Sequence, residues 1–215
     1  MRLRITFAKT GSLRYIGHLD LHQVWERTAR RAGLPLAYTQ GFHPGPKIQI
    51  AAALPLGFSG RAEVVDLWLN ETGGDEPRPY ADLLQSAAPP GLVIVRAEPV
   101  DEGAPALQTQ VAAAEYEVNL LEAGAGSGLE AKVAELLAKP SLPRERRGKP
   151  YDLRPLILSL EAGTGERSGT LQMVLSAREG ATGRPEEVLA ELGIPFENTR
   201  VERTRLIFKN DIESK

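Results

Sequence analysis

The sequence predicts an α+β protein with antiparallel sheets, arranged in two halves that share one element order. Three observations carry this. Short apolar–polar alternations, such as Leu3 to Phe7 and Tyr116 to Leu120, read as half-buried strands. Between them lie amphipathic segments with helical spacing, neither long nor wholly apolar. The order strand-helix-strand-strand-helix-strand then occurs twice.

In the first half, Leu3–Phe7 is a strand. His18–Ala32 is a helix, with Leu21, Val24, Trp25, Thr28 and Ala32 on one face and Gln23, Arg27, Arg30 and Arg31 turned away. Gly33 and Pro35 stop it. Ile48–Leu54 and Ala62–Leu69 are strands around a turn holding Pro55, Gly57 and Gly60. Pro79–Ala88 is a short helix and Leu92–Val95 a short strand. In the second half, the strand at Tyr116–Leu120 precedes a helix over Leu129–Ala138. Strands follow at Leu153–Leu160 and Leu171–Leu175. Pro185 opens a helix, and Val201–Phe208 is the last strand. Each set has the split β-α-β order of a ferredoxin-like fold, β-α-β-β-α-β. The expected domains are residues 1–98 and 113–215, joined by an Ala-, Pro- and Gln-rich linker over 99–112.

Composition narrows the chemistry. The 215 residues contain no cysteine, which excludes disulfides, thiolate catalysis, iron–sulfur ligation and cysteine zinc sites. Any metal would fall to carboxylates and three histidines. No apolar run reaches the ~18 residues of a membrane span, and the first residues lack a signal-peptide pattern, so the cytoplasm is the expected compartment. No cofactor is called for. GxSxG, Walker A, strand-associated GxGxxG and HExxH patterns are all missing.

The net charge of −2 hides a strong segregation. Residues 1–61 carry nine Lys and Arg against two Asp and Glu, and residues 62–138 carry three against fourteen. Residues 139–155 return to six against two. Basic surfaces on an acidic body are the footprint of phosphate-rich partners; solvated helix faces give the same pattern.

Two stretches collect the candidate residues. Lys9 to Lys47 holds Lys9, Arg14, Arg27, Arg30, Arg31, Phe42, His43 and Lys47. Its loop 38–47, YTQGFHPGPK, alternates glycine with proline, so its ordering cost is small. Phe42 on that loop can stack on a base and Lys47 can meet a phosphate. The plainer reading packs Phe42 into the core. The second stretch, expected as a mobile loop over 139–155, holds Arg144, Arg146, Arg147, Lys149 and Arg154, with Asp152 placed to pair with Arg154. Together these thirteen are the candidate nucleic-acid contacts. His18 and His22 share a helix face, and with His43 they form an alternative three-histidine metal site. His18 alone is an alternative catalytic base for metal-independent RNA cleavage. Asp20 suits the positive end of its helix.

Several runs also carry a family resemblance. Residues 7–20, FAKTGSLRYIGHLD, residues 30–48, RRAGLPLAYTQGFHPGPKI, and residues 53–57, ALPLG, resemble the radical-SAM-linked proteins, as do Asp152-Leu-Arg-Pro155 and Arg203-Thr204. The resemblance is sharpest in the first 70 residues. It implies an accessory module of a cobalamin-type radical SAM enzyme, and a genomic neighbourhood that points to RNA. A chain without cysteine cannot itself be the radical enzyme. His18, Asp20, Gly41, Phe42, Pro44, Lys47 and the basic segment match the family's positions. His43 stands where the family often has Asn, and His22 lies outside its pattern, which argues against the metal site. A protein-interaction scaffold, docking through the acidic middle segment, is the remaining reading.

Overall fold

The computed structural model describes residues 1–70, 78–122, 124 and 126–213. It divides into two compact units, Met1–Gln110 and Val111–Lys215. Both are mixed α+β with antiparallel sheets.

The first unit runs β1 (Arg2–Lys9), a 3-10 turn (Gly11–Tyr15), α1 (His18–Arg31), β2 (Ile48–Ile50), β3 (Ser59–Trp68), α2 (Tyr80–Ala87), β4 (Leu92–Val100) and α3 (Leu107–Gln110). Its sheet order is β2-β3-β1-β4, with each pair antiparallel. One sheet face carries Leu3, Ile5, Phe7, Val65 and Leu67, which pack with Leu21, Trp25 and Ala29 of α1 and Leu84 of α2. Phe7 meets Trp25 edge to face, ring centroids 4.8 Å apart, a favoured aromatic geometry.

Local chemistry sets the ends of α1. The Asp20 carboxylate accepts the Gly17 N–H at 3.3 Å, so it caps the helix as well as facing its positive end. Beyond the last turn Gly33 takes φ +69. Leu34 N–H then reaches Ala29 O at 3.0 Å, and Gly33 N–H reaches Arg30 O at 3.1 Å. This is a Schellman motif, and it needs a residue that tolerates the left-handed region.

The opposite face of this sheet holds a buried ion cluster. Asp66 is fully buried. It accepts from Arg2 Nε at 2.8 Å and from Arg4 Nε and Nη2 at 2.9 Å each. Arg2 continues to the carbonyls of Ala104 (2.6 Å) and Pro105 (3.1 Å). The 99–112 segment, expected as a linker, is therefore structured. It holds the end of β4, the turn bound by Arg2, and α3, whose buried Leu107 donates its N–H to Gln49 at 2.7 Å.

The second unit runs β5 (Val111–Leu120), α4 (Leu129–Ala138), β6 (Pro143–Arg146), β7 (Lys149–Asp152), β8 (Ile157–Ala162), β9 (Thr170–Arg178), β10 (Ala181–Thr182), α5 (Pro185–Glu191), β11 (Thr199–Phe208) and α6 (Lys209–Glu213). The antiparallel path β8-β9-β5-β11 forms its sheet, and β10 also pairs with β9. Val118, Leu171, Met173, Leu175, Val133, Leu136, Val188 and Leu189 are among its buried apolar residues. β6 and β7 form a separate hairpin where a mobile loop was expected. Arg147 and Gly148 make its two-residue turn, at φ +54 and +74. Positive φ at both central residues is the type I′ pattern that matches the twist of a hairpin.

Among the described residues, no helix is long and apolar enough to cross a membrane.

Candidate nucleic-acid interface

The 38–47 loop is built as a closed neck with a projecting tip. Tyr38 bridges to Pro46. Thr39 N–H donates to Gly45 O at 2.8 Å, and Gly45 N–H donates to Thr39 Oγ1 at 3.1 Å. At the base, Lys47 N–H reaches Ala37 O at 2.8 Å, while Ala37 N–H and Trp68 O pair at 2.7 Å. Gly41, at φ +133, turns the tip. Phe42 and His43 sit beyond the neck, and the Phe42 ring is fully exposed. The ring does not pack into the core.

The adjoining helix supplies cations. Arg27 and Arg31, one turn apart on the outer face of α1, are exposed with no partner among the described residues. Arg30 lies between them. Its guanidinium pairs with Glu26 at 2.9 Å and donates to the Tyr38 hydroxyl at 2.6 Å. The Tyr38 bond raises the affinity of Arg30 for its proton. Lys47 is exposed at the foot of the loop. Arg14 lies over the Tyr15 ring, 4.6 Å from its centroid, and bonds to the Tyr15 hydroxyl.

Other candidates are committed elsewhere. Lys9 continues the inward parity of Leu3, Ile5 and Phe7, so it is buried, with Nζ 3.1 Å from Ile16 O. It offers no surface charge to a phosphate. Arg144 pairs with Glu191 at 2.9 Å and bonds Glu187 O at 3.1 Å. Arg146 donates to both Glu187 carboxylate oxygens at 2.7 and 2.8 Å and to Thr182 O at 3.0 Å, with its guanidinium 4.7 Å over the Tyr151 ring. These contacts bind the β6–β7 hairpin to α5. Arg154 donates to Leu137 O from Nε (3.2 Å) and Nη2 (3.1 Å), which satisfies a C-terminal carbonyl of α4. Asp152 does not form an ion pair with the Arg154 guanidinium, which is on Leu137 O. It accepts the backbone N–H groups of Leu142 (2.8 Å) and Arg154 (2.9 Å), and these bonds hold its carboxyl below the ordinary carboxylate range. Of the hairpin cations, only Arg147 and Lys149, at the turn, are exposed without a partner among the described residues.

His18 opens α1 with its Nδ1 buried and unbonded. Burial, then His22 and Lys9, lower its affinity for a proton. Among the described residues no group of three or more His, Cys, Asp or Glu is placed to hold a metal. His43, on the exposed loop tip, does not complete such a group with His18 and His22.

Sequence reasoning missed Trp68. It follows Val65 and Leu67 on β3 but has the outward parity, and a tryptophan at an outward position was the available signal. It is half-buried, with Arg2 stacked 4.8 Å from its ring centroid.

Fold and site together define an α+β protein in which, among the described residues of the first unit, the unpaired Lys and Arg side chains lie on α1 and on one aromatic-tipped loop. A family model matches residues 2–185, and the chain belongs to that family, described as "Uncharacterized protein conserved in bacteria (DUF2344)". That description names neither a radical SAM enzyme nor RNA. No curated protein matches the chain.

Proposed function

We propose that the chain is a non-catalytic module that binds single-stranded RNA, with α1 and the 38–47 loop of the first unit as its interface. The observation that carries this is the fully exposed Phe42 ring on a loop whose neck is closed by hydrogen bonds. An exposed ring leaves apolar surface in water, which a stacked base would cover. The closed neck lowers the entropy lost on binding. Arg27, Arg31 and Lys47 supply charge for the backbone of the strand. Arg147 and Lys149 of the second unit are a further basic point for the same class of ligand.

The orders β2-β3-β1-β4 and β8-β9-β5-β11 support two tandem ferredoxin-like units, the second carrying the β6–β7 insertion. The resemblance of residues 7–57 to radical-SAM-linked proteins supports an accessory role beside such an enzyme.

Filter retention of labelled single-stranded RNA at low salt tests the function. The wild-type chain retains RNA, and Phe42→Ala weakens it by about tenfold, the loss of one stacked base. Equal retention by wild type and variant would remove the stacking role, and no retention at all would remove the function.

One observation favours a second reading. The His18 Nδ1 is buried without a hydrogen-bond partner, and burial, then His22 and Lys9, lower its affinity for a proton; a general base must be unprotonated to act. If it is catalytic, the chain cleaves RNA in the presence of chelator and His18→Ala does not. RNA left intact by the wild-type chain rules this out.

A further inference from the structure

At the foot of the Phe42 loop lies a recess of about 400 Å3, lined by Thr39, Pro46, Lys47, Ile48, Gln49 and Trp68. It opens broadly to solvent, so it is a shallow surface recess and not an enclosed cavity. Its walls are fixed. The backbones of Lys47 and Trp68 are joined, Trp68 N–H to Lys47 O at 3.1 Å. Arg2 covers part of the Trp68 indole and is itself held by Asp66 and by the carbonyls of Ala104 and Pro105. The side-chain oxygen of Gln49 is taken by the Leu107 N–H at 2.7 Å, so Gln49 acts as wall rather than recognition group.

Two groups remain for a ligand. The Lys47 ammonium is exposed and has no partner among the described residues. The Thr39 hydroxyl accepts from Gly45 N–H and keeps its own proton to donate. A cation and a hydroxyl donor beside a half-exposed indole make a mixed site: flat and aromatic on one side, suited to an anion on the other.

We propose that this recess holds one nucleotide of the bound strand, its base stacked on Trp68 and its phosphate at Lys47 and Thr39. The inference rests on the RNA-binding reading and deepens it. Phe42 at the loop tip then takes a neighbouring base. Stacking accepts every base, so the pocket selects for a nucleotide and not for a sequence.

Tryptophan emission tests the pocket, because the chain has two tryptophans and Trp25 is fully buried. The full chain is titrated with uridine 5′-monophosphate and, separately, with a short oligouridylate, after correction for ligand absorbance. Both quench emission to saturation. Lys47→Ala weakens the monophosphate by about fivefold, and Trp68→Leu weakens the oligonucleotide by about tenfold. Trp68→Phe keeps an aromatic platform, so it retains oligonucleotide affinity within about twofold, read by displacement of a labelled strand. If the oligonucleotide binds but neither ligand changes the emission, or if Trp68→Leu binds as tightly as Trp68→Phe, the pocket is wrong while binding at Phe42 stands. If the monophosphate saturates the pocket and RNA is never retained, the pocket stands and the RNA reading falls.

Discussion

The Arg30 guanidinium donates a 2.6 Å hydrogen bond to the Tyr38 hydroxyl, eight residues further along the chain. The bond fastens the outer face of α1 to the neck of the loop that carries Phe42. Both groups are polar and solvent-accessible, so the bond's consequence is positional: it restrains the loop without adding to the core.

Tyr38→Phe removes the acceptor and keeps the ring. RNA affinity falls by roughly threefold as the loop loses restraint, while the thermal midpoint holds, since exposed pairs contribute little to stability. Binding titration and thermal melting of the same samples check both halves. Amide exchange at Thr39 and Gly45, whose N–H groups close the neck, quickens in the variant.

Asp66→Ala leaves Arg2 and Arg4 without their shared carboxylate in a site where Asp66 is fully buried. Removing one partner of a buried ion cluster costs about 3–5 kcal/mol. Urea denaturation reads the loss as a lower midpoint with an unchanged slope. A cost below ~1 kcal/mol would mean the arginines find other partners.

Burial, His22 and Lys9 push His18 below the ordinary imidazole value of 6.5. Between the lowered folded value and 6.5, the unfolded chain binds more protons than the folded one. Stability therefore rises with pH through that window. The contribution is complete above 6.5 and is lost as pH falls toward the folded value. Denaturation profiles of wild type and His18→Gln diverge in this window, with the variant flatter. Parallel profiles would contradict the assignment.

Arg146→Ala breaks the paired hydrogen bonds to Glu187 and the stack on Tyr151. Side-chain exposures of 27% for Arg146 and 19% for Glu187 place the pair between surface and core. The expected cost is about 1–2 kcal/mol, measured by denaturation. RNA affinity stays unchanged, because this charge is already neutralised by its neighbours. A large loss of RNA binding without loss of stability would return Arg146 to the interface.

The sequence carried the elements better than the site. α4 was read at its observed bounds, and α1 differs by one residue at its end, because Trp25, Leu21 and Thr28 mark one face and Gly33 supplies the stop. β6 and β7 escaped notice: PRER and KPYD have no apolar alternation, and a hairpin fixed by ion pairs to α5 has no hydrophobic period to display. The charge pattern located basic residues but not their partners. Arg144 and Arg146 meet Glu191 and Glu187, more than 40 residues away in sequence, a separation only folding closes. Lys9 shows the converse: its alternation with Leu3, Ile5 and Phe7 already pointed it inward.

The salt dependence of RNA affinity tests the central claim most directly. Three cations are assigned to the strand's backbone: Arg27, Arg31 and Lys47. A single-stranded ligand releases about 0.7 counterions per neutralised phosphate. The variant Arg27→Ala/Arg31→Ala/Lys47→Ala should therefore flatten the plot of log affinity against log salt by about 2 relative to wild type. An unchanged slope, with both proteins folded, would contradict the account and place any RNA contact elsewhere on the molecule.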